Sequence, residues 1–309
     1  MKKIRFIQLT IALLVITASA FGQNNHKKSI HISSARFATS LVEKWITEFN
    51  KKNPEFDVIL STNSSDSAVD LQFIGPPSTG TSELSDVIVT YTGRYVLLPI
   101  TNEENPLLQE LNKKRLNSKR LKELFFLDDP LGDFTNTSKK TDEKATIYSG
   151  NQSSSFANLF ALHFGYTTAD IKGKKIAGDD IYLNNAILKD LTSATFNHLN
   201  YIFDIETRKL KDGLALLPLD IKKGQHEILK TADIDQTIAL LEEESIPLIP
   251  VGNMGFAFRK EQTEAKEFLY WVLTEGQRYN HAYGFLKTEA DHLAEQLRAI
   301  EDPRYASSN

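Results

Sequence analysis

Cysteine is absent from the 309-residue chain. Its absence excludes disulfides, thiolate metal sites, a cysteine nucleophile and a lipid-modified N-terminal cysteine. A basic surplus is absent too: 36 Lys and Arg stand against 40 Asp and Glu, a net charge of −4. Without a basic block, nucleic acid and anionic membrane surfaces are poor partners. No segment beyond the N-terminus is apolar for long enough to span a bilayer. The seven histidines have no zinc spacing such as H-E-x-x-H, and neither a phosphate-loop motif nor a G-x-S-x-G elbow occurs. With these motifs missing, we expect no catalysis, no cofactor and no metal. Internal repeats and low-complexity stretches are missing as well.

What is present begins with a leader. Lys2, Lys3 and Arg5 precede an apolar core at residues 11–17, and Ala18, Ser19 and Ala20 form a small-residue cleavage site. Residues 1–22 therefore read as a signal peptide. Its removal leaves 33 of the 36 basic residues against 40 acidic ones, a net charge of −7. An exported chain with no cysteine anchor fits the periplasm of a two-membrane bacterium.

The mature part opens as strand, helix, strand. Residues 29–33 alternate, and Leu41, Val42, Trp45, Ile46 and Phe49 line one helical face. Ser40 and Glu43 have capping-box spacing. Phe56, Val58 and Leu60 alternate again, so an α/β fold with parallel strands is expected. Residues 71–74, 87–91 and 95–100 read as further strands, the last a continuous buried run. Residues 107–111 and 181–189 read as helices, and 145–148, 214–219, 246–249 and 255–258 as strands. Leu293, Leu297 and Ile300 mark a final helix.

Three hydroxyl-rich loops stand out, at residues 33–40, 61–67 and 149–155. Two follow strands of the first half, where open parallel sheets collect ligands. The third precedes an apolar helical run of Phe156, Leu159, Phe160, Ala161 and Phe164 that stops at Gly165. The first turn of such a helix carries unpaired N–H groups that suit a ligand oxygen. In the bland alternative, Ser154 or Ser155 is simply a helix cap. Asp179 and Asp180 suggest either a cation site or, more ordinarily, a cap on the helix that follows them. Arg36 is the best-placed charge for an anion.

The order of these segments resembles the substrate-binding proteins of ABC phosphate-uptake systems. The resemblance is carried by residues 33–45 with Trp45, by 91–102 and 121–126, by 149–156 and 194–201, and by 268–286 with Trp271 and Gly284. It implies a two-lobe type II periplasmic-binding fold, each lobe a mostly parallel sheet flanked by helices, with the ligand cleft between lobes. The expected division is residues 23–95 plus 246–309 for the first lobe and 96–245 for the second. It also implies capture of a small oxyanion, phosphate or similar, by a monomer that delivers it to an ABC permease in the inner membrane. The ligand-binding residues are expected to be Ser33, Ser34 and Arg36, then Ser64 and Ser65, then Gln152, Ser153, Ser154 and Ser155. Two positions depart from the family pattern. Tyr148 stands where an arginine is usual, and residues 74–77 lack the usual aspartate. The rival expectation is a binding fold with a degenerate cleft that holds an envelope partner or acts as a sensor.

Overall fold

The structure, a computed structural model, describes residues 27–61, 69–76, 86–127 and 145–301. The leader, Ser64 and Ser65 lie outside the described residues. Strand β1 (Lys28–Ile32) leads through a 3₁₀ turn (Arg36–Ala38) into helix α1 (Thr39–Lys52) and strand β2 (Phe56–Leu60). β1 and β2 pair in parallel, with Ile30 opposite Val58. Helix α1 buries Leu41, Val42, Trp45 and Phe49, the face its spacing predicts. The Asn50 amide fastens helix to strand by bonding both the N–H and the C=O of Val58, each at 3.1 Å. The capping box does not form. The helix starts at Thr39, so Ser40 lies inside it and Ala38 holds the cap position. The preceding 3₁₀ turn supplies the entry instead, with the Thr39 hydroxyl donating to the Ala35 carbonyl at 3.1 Å.

Strand β3 (Gln72–Ile74) follows, then β4 (Val87–Asn102). The two strands expected at 87–91 and 95–100 are one. Gly93 does not break it but sits at a register shift against its partner. The next elements are helices α2 (Leu107–Lys113) and α3 (Ser118–Phe125), strand β5 (Thr146–Gly150), helix α4 (Ala157–His163), strand β6 (Lys174–Ile176), helix α5 (Ile181–Lys189), strand β7 (Ser193–His198), helix α6 (Leu199–Ile202) and strand β8 (Leu214–Leu216). Helices α7 (Lys223–Lys230) and α8 (Ile234–Glu243), strand β9 (Val251–Arg259) and helices α9 (Thr263–Thr274) and α10 (Ala290–Glu301) complete the described order. Residues 246–249 are not a strand, and β8 stops before Pro218. Pro218 and Pro247 have no N–H to give a ladder.

β4 joins the two halves. Its first part, Val87 to Val96, pairs antiparallel with β9, which in turn pairs with β3. From Leu97 to Thr101 it pairs antiparallel with β7, and β8 adds to its end. β5 lies parallel to both β7 and β6. Each half thus keeps a parallel strand–helix–strand unit, and antiparallel crossing strands join them. The arrangement is the two-lobe type II periplasmic-binding fold.

Aromatic rings run through one continuous core. Phe49 packs edge-on against Phe56, Phe268 and Trp271. The Trp45 indole N–H donates to the Gly276 carbonyl at 3.0 Å, tying the C-terminal segment to α1. Farther along, Phe160 stacks on Phe196 with ring centres 3.8 Å apart. Among the described residues, no helix is long and apolar enough to cross a membrane.

Candidate functional site

At the carboxyl end of β1, the chain turns sharply and spends its polar groups on itself. Ser33 is buried. Its N–H donates to the Leu71 carbonyl at 2.9 Å, and its hydroxyl accepts from the Phe73 N–H at 2.8 Å. Both bonds tie β1 to the β3 segment. Ser34 donates to the Ala35 carbonyl at 3.1 Å. The Arg36 side chain reaches outward, 67% exposed, with Nε 3.9 Å from Asp179 Oδ2. The Tyr182 hydroxyl and the Asp179 carboxylate both favour its charged form.

At the carboxyl end of β5, residues 152–155 form a turn closed by the Ser155 N–H on the Gln152 carbonyl at 3.0 Å. Helix α4 begins immediately after it, and Gly165, at φ +82°, ends the helix region in the left-handed conformation the sequence predicts. The Ser155 hydroxyl accepts from the Ala157 N–H at 3.1 Å, although the cap position itself is Phe156, which has no side-chain cap bond. The same hydroxyl also donates to Asp180, 3.0 Å from either carboxylate oxygen. The Phe156 N–H donates to Asp180 Oδ2 at 2.6 Å. The aspartates therefore divide their labour in a way the sequence reading does not anticipate. Asp179 accepts from the Ile181 N–H at 2.9 Å, at the start of its own helix. Asp180 serves the start of α4, 24 residues earlier in the chain.

Asp180 is 7% exposed. Burial pushes its carboxyl up to about 6, against the pull of the Phe156 and Ser155 hydrogen bonds, and the charge of Asp179 adds to the rise. Its backbone is fixed as well: the Asn197 amide donates to the Asp180 carbonyl at 2.8 Å. Gly150 makes the room. A β-carbon there would lie 2.1 Å from Asp180 Oδ1 and 2.3 Å from Ser155 Oγ. Tyr201, nearly buried, has its hydroxyl pushed up by burial and by the neighbouring Asp179.

These two strand ends enclose a cavity of about 370 Å³. Of the expected ligand-binding residues, Ser33, Ser34, Arg36, Gln152, Ser154 and Ser155 line it. Ser153 does not, and its carbonyl accepts instead from the Asn158 amide at 2.6 Å. Ser64 and Ser65 lie outside the described residues. The sequence reading missed Gln72, Phe73, Gly178, Tyr201 and both aspartates as lining groups. Only Gly178, in the left-handed region at φ +97°, followed by two aspartates, offered a local signal. Tyr148, at the family's arginine position, turns its hydroxyl to Asp190 at 3.2 Å. Residues 74–76, where the family's aspartate is missing, open on a second hollow of about 430 Å³ beside Tyr95 and Leu159.

Behind the cavity the lobes meet through rings. Phe37 packs against Phe73, Tyr95, Phe156, His198 and Phe285, with the Phe156 ring centre 5.1 Å away. The Asn200 amide donates to the Phe37 carbonyl at 2.6 Å, joining α6 to the 3₁₀ turn. His198 is fully buried, and burial pushes its imidazole down to about 4, so it is neutral.

No protein-family model and no curated protein sequence matches the chain. Solved structures do. An ABC-type phosphate transport receptor from Vibrio cholerae is similar at a TM-score of 0.55 and 14% identity, over 84% of this chain and 100% of that one. A possible phosphate binding protein from Planctomyces limnophilus is similar at a TM-score of 0.51 and 14% identity, over 89% of this chain and 98% of that one. The chain shares its fold with these receptors.

Proposed function

We propose that the chain is a non-enzymatic solute-binding protein that captures a small polar solute between its lobes, at the cavity bounded by residues 33–37, 152–156 and 178–180. In this reading it works in the periplasm, exported by residues 1–22, as a monomer that hands its solute to an ABC permease. The lobes are residues 23–95 plus 246–309 and residues 96–245. The change of β4 partner from β9 to β7 between Val96 and Leu97 supports that division. The observation that carries the proposal is convergence: loops at the carboxyl ends of β1 and β5, one in each lobe, line a single cavity. That is where open α/β sheets bind ligands. The volume lies in the range of small-molecule sites. A hollow of this size also speaks against the rival reading of a degenerate cleft.

The finer form of the reading is a phosphate-like oxyanion. The fold, the Arg36 guanidinium and the Ser34 and Ser154 hydroxyls favour it. The two aspartates oppose it. A unit negative charge about 4 Å from a carboxylate is disfavoured by roughly 4 kcal/mol at an effective dielectric of about 20. Arg36, largely exposed and already beside Asp179, offsets only part of this.

Thermal unfolding against a panel of solutes tests the proposal. The panel holds phosphate, sulfate, small carboxylates, sugars, polyols and amines. A solute at about 100 times its dissociation constant adds roughly 2.7 kcal/mol of stability. The Ser154→Trp variant, whose indole fills the cavity, is expected to abolish that gain while remaining folded. A panel without effect on the parent protein, or a gain that survives Ser154→Trp, contradicts the proposal.

A further inference from the structure

The second hollow, of about 430 Å³, opens where β3, β4 and β9 face helix α4. No described residue lines both it and the first cavity. Its walls are largely apolar: Ile74 from β3, Val89 and Tyr91 from β4, Val251 from β9 and Leu159 from α4. Val89 and Tyr91 stand exposed there. Among the described lining residues none carries a charge, so a charged solute finds no ion-pair partner.

One lining group is polar, buried and unspent. Tyr95 is fully buried, and its hydroxyl has no hydrogen-bond partner. Its ring lies across Gly252, the residue opposite it in the β4–β9 ladder. A β-carbon at Gly252 would meet the Tyr95 hydroxyl at 2.6 Å, so the glycine makes room for the phenol at the wall of the hollow. Burial raises the pKa of this phenol, which therefore keeps its proton and stays a donor. A phenylalanine would supply the same ring without the cost of an unpaired buried hydroxyl. A solute that brings the missing acceptor accounts for the hydroxyl.

We infer that this hollow is a second binding site, for a small uncharged amphiphile. Its apolar body lies against Val89, Tyr91 and Leu159, and one carbonyl or ether oxygen accepts from the Tyr95 hydroxyl. The volume lies in the range of small-molecule sites, which pair apolar walls with a few placed polar groups. The inference goes beyond solute capture at the first cavity and does not rest on it, because the two sites share no described lining residue.

The test is fluorescence titration of the full chain with prodan, an uncharged naphthyl ketone whose emission moves to the blue in apolar surroundings. Its control is the propyl analogue, in which a methylene replaces the carbonyl. The parent protein is expected to bind prodan with a dissociation constant of about 100 µM or tighter. Val89→Trp, whose indole enters the hollow from an exposed strand position, is expected to weaken both compounds by about tenfold or more. Tyr95→Phe is expected to fold at least as stably as the parent and to weaken prodan alone, by about fivefold or more. Circular dichroism checks the folding. If Tyr95→Phe does not fold, the parent decides: a preference for prodan over its analogue that Val89→Trp abolishes supports the site. No binding of prodan by the parent overturns the inference, and so does equal loss of both compounds in Tyr95→Phe. Prodan binding that survives Val89→Trp and is lost in Ser154→Trp overturns it too, and leaves capture at the first cavity standing.

Discussion

Asp180 is buried against Ser155 and the Phe156 N–H and titrates near about 6, above the roughly 3.9 of a free aspartate. In that window the folded chain holds a proton that the unfolded chain has released. Ionising Asp180 therefore lowers stability as pH rises from about 4 to about 6. His198 does the opposite. It is buried neutral and titrates near about 4, below the roughly 6.5 of a free imidazole. Across about 4 to 6.5 the unfolded chain takes the extra proton, so this residue makes stability rise with pH. Each effect is on the order of 3 kcal/mol, and the two nearly cancel. Urea unfolding at several pH values is expected to expose them one at a time. Relative to the parent, Asp180→Asn should gain stability with rising pH across the window, by about 2 to 3 kcal/mol. His198→Gln should lose a similar amount. Parallel pH profiles for parent and variants would contradict the burial account. Neither residue could be read this way from the sequence. Asp180 finds its partners 24 and 25 positions away, and His198 is desolvated by rings contributed from Phe37 to Phe285.

The local elements were more legible than the site. The apolar spacing from Phe156 to Phe164 and the glycine after it specify α4, and Leu41 to Phe49 specify the buried face of α1. These signals are local, set by helical period and by glycine's tolerance of positive φ. Errors arose where a long-range partner overrode a local cue. Residues 87–91 and 95–100 read as two strands, yet β9 pairs on both sides of Gly93 and absorbs the shift. Ser33 reads as a free donor, yet Phe73 claims its hydroxyl. Two glycine substitutions test the close approaches. Gly255→Ala places a β-carbon 2.0 Å from the Thr90 carbonyl oxygen, where only backbone movement relieves the clash. It should open the β4–β9 ladder and cost about 3 kcal/mol or more in chemical denaturation. Gly150→Ala meets a side chain instead and should cost about 1 to 3 kcal/mol. Because that clash is with Asp180 and Ser155, Asp180→Gly in the same chain should recover about 1 kcal/mol or more of it. Additive losses would show that the two groups do not share the space.

For the molecule as a whole, the α/β class follows from the opening strand–helix–strand, and the two-lobe form from the order of segments. The junction between lobes was not legible, because its rings come from six separate stretches of chain. Phe37 is its centre. Phe37→Ala should cost about 3 to 5 kcal/mol, and hydrogen exchange should rise at residues 152–156 as well as at 33–38, since the contact spans both lobes. Loss of protection confined to residues 33–38 would mean that the rings do not couple the halves.

The most direct test of capture between the lobes is native mass spectrometry of the intact protein after incubation with a small-molecule extract. The account predicts one stoichiometric adduct of low mass that is absent from folded Ser154→Trp. A parent protein that retains nothing, or an adduct that Ser154→Trp retains equally, would contradict it.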